Sequence, residues 1–229
     1  LWSNAVDWVN NDYFDAVMNY AYFKDPVMRF FNTRQCGAED FDKDLKQGLL
    51  SYPSQATQVM MNLIDSHDTF RYLESCNGDI SRLEMAVLFQ MTYVGTPHIW
   101  YGDEVGMMGA HDPDCRRPFN WKYTEDLEKV SLRDYYKKLI QIRKENSCLR
   151  TGSFDTLIAE GMVYGYLRSD KKSSIAVILN NDTNRNKIKV PLNSRKVINL
   201  LTRKEYPIKE GVLEVELDVM SGMILKFLN

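Results

Sequence analysis

Histidine and cysteine are scarce in this sequence, with three and four residues in 229. Cys36, Cys76, Cys115 and Cys148 lie far apart, form no C-x-x-C pair and are too few for a disulfide scaffold. Free thiols in a reducing compartment, and hence a cytoplasmic location, are expected. With only His67, His98 and His111 to draw on, a metal site is starved of imidazole ligands. No apolar run approaches the roughly 20 residues of a membrane-spanning helix, and Leu1 onward is not a basic-then-apolar leader. Excess charge is missing as well: 29 Lys and Arg stand against 31 Asp and Glu, interspersed, for a formal net charge of -2. Such a chain presents no positive field to a phosphate backbone. Membranes and nucleic acids are therefore not expected as partners.

What the chain does have is 44% hydrophobic residues, enough to bury the core of one large or two modest domains. Three times in the first 150 residues an extended-looking apolar run precedes a helical pattern, the alternation of a parallel α/β architecture. The runs are FDAVMNY (14–20), QVMMNLI (58–64) and PHIWY (97–101). Helical patterns follow at DPVMRFF and FDKDLKQGLL, then from a capping box of Ser81 with Glu84 up to Gly95, then from Ser131 to about Ser147. Polar residues cluster just after each run: Asn19 and Tyr20, His67 and Asp68, Asp103 and Glu104. That is the carboxyl edge, where parallel α/β folds bind ligands. Beyond residue 150 the texture changes to seven short β-rich runs between turn clusters, an antiparallel β-sandwich module. The expected division is 1–150, α/β, and 151–229, all-β.

The run ending in NLIDSHDTFR (62–71) packs an imidazole and two carboxylates into one turn. Asp68 is open to three readings: a cap for a short helix through TFRYLES, a metal ligand, or a buried carboxylate that bonds sugar hydroxyls and steadies charge at an anomeric carbon. In the last of these, His67 holds a hydroxyl of the same ring. Trp2, Tyr20, Trp100 and Tyr101 sit near the proposed strand ends, where flat rings suit sugar faces, although core packing explains Trp100 and Tyr101 equally. The long loop YGDEVGMMGAHDPDCRRPFNW (101–121) places Asp112 four residues before Arg116. They are either an acceptor and a donor fork for hydroxyls or an ion pair that holds a turn. Asp103, Glu104, Asp112 and Asp114 are also candidates to gather a hard cation, without calcium-loop spacing.

NLIDSHDTFR resembles the fourth signature region of the α-amylase superfamily, and GTPHIWYGDEVGM with DPDCRRPF resembles the segment after it. FDAVMNY, SHDT and GMMGAHDPDCRRPFNW together are similar to the cyclomaltodextrinase, neopullulanase and maltogenic amylase group. The resemblance implies a retaining glycosidase on a (β/α)8 TIM barrel that needs no cofactor and acts on malto-oligosaccharides or cyclic glucans. It implies that the three units here are the last three of the barrel, followed by the C-terminal β-sandwich.

By the same resemblance Asp68 is the transition-state-stabilising carboxylate and His67 its substrate-binding neighbour. Asp112 and Arg116 bind glucose on the non-reducing side, Trp2 is the aromatic two positions after the acid Glu, and Tyr20 lines the pocket. The acid Glu would fall immediately before Leu1 and the nucleophile earlier still. Residues 1–229 alone are therefore expected to be inactive and to associate, with copies of themselves or with the rest of the barrel. The rival expectation is a non-catalytic amylase-like binding or assembly module.

Overall fold

The computed structural model describes residues 3–9 and 12–228. From residue 20 to 32 the chain is helical, with wide π turns at Tyr20–Lys24 and Met28–Asn32 flanking a short segment, α1 (Asp25–Val27). Pro26 has no N–H to donate, and the flanking bonds reach five residues back, from Lys24 N–H to Asn19 O and from Thr33 N–H to Met28 O. Then come α2 (Ala38–Ser51), α3 (Ser54–Val59), β1 (Met61–Leu63), α4 (Tyr72–Ser75), α5 (Ile80–Thr92), β2 (Thr96–His98), α6 (Leu127–Glu145) and α7 (Cys148–Thr151).

Strands β1 and β2 pair in parallel, Met61 opposite Thr96 and Leu63 opposite His98. On the other side of β1 a single parallel bridge joins Met61 to Met18. The run 14–20, expected as a strand, is reduced to that bridge. In the second run Gln58 and Val59 close α3, and extended structure is confined to Met61–Leu63. Nor does the capping box form. The Asp79 carboxylate accepts the N–H groups of Ser81 and Arg82 at 3.0 and 3.4 Å and pairs with Arg82 Nε at 3.1 Å. A charged acceptor two residues ahead of Ser81 suits the helix N-terminus better than a hydroxyl, so α5 begins at Ile80. Asp126 does the same for α6, which therefore starts at Leu127 rather than Ser131.

The remaining strands are β3 (Asp155–Glu160), β4 (Val163–Ser169), β5 (Ser174–Asn180), β6 (Asn186–Pro191), β7 (Lys196–Asn199), β8 (Glu205–Pro207), β9 (Val212–Leu217) and β10 (Ser221–Leu228). Six of them form an antiparallel sheet in the order β3-β4-β5-β10-β7-β8, and β6 pairs with β9. Strand β8, in KEYPI, was not among the expected runs. Period-two alternation sends β5 to two cores. Ala176 and Ile178 pack with Ile188 and Val190 of β6 and Leu213 and Leu217 of β9. Ile175, Val177 and Leu179 turn the other way and join Leu88, Phe89, Phe30 and Phe41 of the helical layer. Strand β10 approaches α5 so closely that a Cβ at Gly222 would lie 2.8 Å from Leu88 Cδ1.

Two buried arginines stitch these layers together. Arg143 of α6 donates to the carbonyls of Met91 (2.9 Å), Tyr93 (3.0 Å) and Gly95, just where α5 ends. Arg168 of β4 donates to Thr92 O (2.7 Å), Ser153 O (2.8 Å) and Gly152 O (3.2 Å). The orphaned carbonyls of a helix C-terminus and its negative dipole end are what a buried guanidinium without an acid needs. Burial and each other's charge still push the Arg143 guanidinium down to about 10.

Candidate active site

The site begins where β1 runs out. Asn62, buried under the strand end, accepts a bond from Asn19 Nδ2 at 3.0 Å and donates to Val94 O at 2.6 Å. Gln90 of α5 donates through Nε2 to Asn62 O (2.9 Å) and His98 O (2.8 Å), tying the carboxyl ends of both parallel strands to one helix. On this support Ser66–Thr69 forms a tight turn, with Ser66 N–H donating to Thr69 Oγ1 at 3.0 Å and Asp68 N–H to Ser66 Oγ at 3.2 Å. The turn lifts His67 and Asp68 off the strand.

Four of the residues singled out in the sequence come together there. His67 Nε2 lies 3.2 Å from Asp68 Oδ1, and the same oxygen accepts Arg116 Nη2 at 3.2 Å. Arg116 Nε, 2.6 Å from Asp112 Oδ1, also faces His67 O at 3.1 Å. Of the two readings of the Asp112–Arg116 spacing, the ion pair that holds a turn is present, and the same guanidinium also reaches across to Asp68. Cys115 Sγ donates to His67 O at 3.1 Å, a second tether between the loops. Tyr20 meets the group through Ser66, its hydroxyl 3.0 Å from Ser66 Oγ. Trp100 stands beside His67, ring centres 5.6 Å apart. Trp2 lies outside the described residues.

One expectation is corrected. Asp68 is not buried; its side chain is 62% exposed, because the tight turn carries it past the strand end. The buried acids at this edge are Asp65 and Asp103, with Arg71 between the two loops. Asp103 was legible as a strand-end carboxylate and cation candidate, and Asp65 only as the second carboxylate of the 62–71 turn, with no role assigned.

The four acids considered for a cation do not gather. Asp103 pairs with Arg71 (3.2 Å), Glu104 accepts Gly102 N–H (2.8 Å), Asp112 holds Arg116, and Asp114 binds Arg117 Nε (2.6 Å) and Ala110 N–H (2.7 Å). Those bonds hold the Asp114 carboxyl below its ordinary value of 3.8. Among the described residues no group of three or more His, Cys, Asp or Glu is placed to bind a metal ion.

An exposed carboxylate, an imidazole and a planar donor fork, converging at the carboxyl ends of parallel strands beside an indole, form a surface suited to neutral polyhydroxyl ligands. The family model for the alpha-amylase catalytic domain matches residues 2–131. The chain belongs to the α-amylase family.

Within that family it is 42% identical over 230 residues to neopullulanase 2 of Thermoactinomyces vulgaris, covering 98% of this chain and 39% of that one. A cyclomaltodextrinase of Thermoanaerobacter pseudethanolicus is 45% identical over 183 residues, 80% of this chain and 31% of that one. The structure superposes on a solved cyclomaltodextrinase with a TM-score of 0.91 at 35% identity, covering 100% of this chain and 39% of that chain. The α-amylase-family chain thus spans well under half the length of these glycoside-hydrolase relatives. No helix among its described residues is long and apolar enough to cross a membrane.

Proposed function

We propose that residues 1–229 form part of a retaining α-1,4-glucan hydrolase of the cyclomaltodextrinase–neopullulanase type, acting on malto-oligosaccharides, cyclodextrins or pullulan. Residues 1–150 supply the last three units of its (β/α)8 barrel and residues 151–229 its C-terminal β-sandwich. Asp68 is the carboxylate that stabilises the oxocarbenium-like transition state. His67 holds a hydroxyl of the same ring, Asp112 and Arg116 grip the neighbouring glucose on the non-reducing side, Tyr20 lines the pocket, and Trp2 is a further substrate-binding aromatic, two positions after the acid Glu. The observation that carries this reading is the Arg116 guanidinium spanning Asp68 and Asp112, which puts a charged acceptor and a hydroxyl-binding fork on one face. The four free, buried cysteines suit a cytoplasmic enzyme.

Retention takes two carboxyl groups about 5 to 5.5 Å apart, one attacking and one protonating. Asp68 fills neither role. The 229-residue polypeptide incubated with cyclodextrin, pullulan and maltotriose is accordingly expected to release neither glucose nor maltose, and turnover would overturn the assignment of roles. Reading the codons before Leu1 separates a hydrolase from a non-catalytic amylase-like module. A Gly-Glu there, with an Arg-x-Asp strand end further upstream, is the expected result.

A further inference from the structure

Below the exposed quartet lies a buried cluster with no part in the sugar contacts. Asp65 and Asp103 are 1% and 4% exposed, and Arg71 beside them is fully buried. Asp65 Oδ2 accepts Tyr72 N–H at 2.6 Å, which closes the 65–72 loop beneath His67 and Asp68. Arg71 ties that loop to the next one: Nη1 donates to Asp103 Oδ1 at 3.2 Å and to Tyr101 O at 2.7 Å, and its main-chain N–H to Gly109 O at 2.9 Å.

The two carboxyl groups stand within hydrogen-bonding reach of each other. Yet Asp65 Oδ1 and Asp103 Oδ2 are both buried without a donor from the protein, and Arg71 Nε and Nη2, though buried beside them, reach no acceptor. Two carboxylates bond only through a proton, and two buried anions against one guanidinium leave an expensive net charge. One proton satisfies both orphaned oxygens and leaves a single carboxylate to match Arg71. We propose that Asp65 and Asp103 hold one proton between them and, with Arg71, lock the His67–Asp68 loop against the 101–117 loop until that proton leaves. Both acids are positioning residues. Their effect on catalysis rests on the hydrolase reading above, but the shared proton does not.

The surroundings are consistent in sign. Burial raises both carboxyls, Asp103 further because Asp65 and Glu104 add negative charge, while Arg71 opposes the rise at both and His98 at Asp65. The Tyr136 hydroxyl of α6, buried without a partner, is itself pushed up by burial and by the charge of the pair. A raised carboxyl contributes stability that is complete below the ordinary aspartate value of 3.8 and is lost as pH rises through the folded value.

Infrared spectroscopy of the unmodified protein at neutral pH tests the proton directly. A protonated carboxylic carbonyl band is expected, disappearing as pH rises. Its absence would overturn the proposal. The second measurement is denaturant unfolding against pH, compared with Asp103→Asn, whose amide donates permanently. The folding constant of the unmodified protein is expected to fall about tenfold per pH unit relative to the variant across the window above 3.8. Parallel pH profiles would refute the shared proton. Should Asp103→Asn not fold, Asp65→Asn and the wild-type band still decide. Neither readout needs turnover, so a failure here leaves the hydrolase reading standing, and the reverse also holds.

Discussion

At residue 116 one guanidinium does two jobs that a lysine cannot share. Its planar fork reaches Asp112 through Nε and Asp68 through Nη2, whereas an ammonium is a single point of charge. These pairs are exposed, so each contributes no more than about 1 kcal/mol to folding. Arg116→Ala is therefore expected to leave the thermal midpoint within a few degrees while raising KM in the full-length hydrolase proposed above, and Arg116→Lys to recover little of that loss. If Asp68 has the proposed role, Asp68→Asn lowers kcat by about 100- to 1000-fold with a small change in KM, the signature of a charge that acts on the transition state. A steady-state comparison of the three variants separates the roles, and an Asp68→Asn enzyme with normal kcat would refute its assignment. The quartet was legible because SHD and DPDCR each carry their chemistry within a few residues. The pairing of Asp65 with Asp103 was not, since it exists only once β1 and β2 lie side by side.

Element boundaries were read less well than element order. The alternation of apolar runs and helices was plain, but in QVMMNLI the helix ends and the strand begins within one hydrophobic string, where periodicity carries no information. Two helix starts, at Ser81 and Ser131, were placed too late because the capping aspartates just upstream, Asp79 and Asp126, were not recognised. The consequence is measurable. Asp79→Ala removes two N–H acceptors and the Arg82 pair from the start of α5 and is expected to cost about 1 kcal/mol. Ser81→Ala should cost nothing and gain up to a few tenths of a kcal/mol, because its side chain makes no cap there and alanine is the better helix former. Equal losses in urea melts would restore the capping box. Strand β8 escaped notice because three residues ending in proline, paired on one side at the sheet edge, look like a turn.

For the molecule as a whole, two kinds of surface contrast. The antiparallel half is closed, with one face of its large sheet on the helices and the other on β6 and β9. The parallel half is open: Phe14, Met18, Val59 and Met61 are 56%, 37%, 51% and 38% exposed around β1, a cluster of apolar side chains at the margin of a minimal sheet. Purified alone, the polypeptide is expected to self-associate through that side, and light scattering at micromolar concentration measures it. A monomeric mass, unchanged by Met61→Lys, would contradict the expectation.

The two acid-free arginines limit how this architecture tolerates recombination. Their positive charge is matched by carbonyls that converge only where α5, α6 and β4 meet. A grafted C-terminal half lacking a guanidinium at position 168 would strand Thr92 O in a dry seam, and a graft onto a different helical half would bring Arg168 in with no carbonyl to receive it. Modules that look separable by topology are therefore bound to be exchanged with their seam intact or not at all.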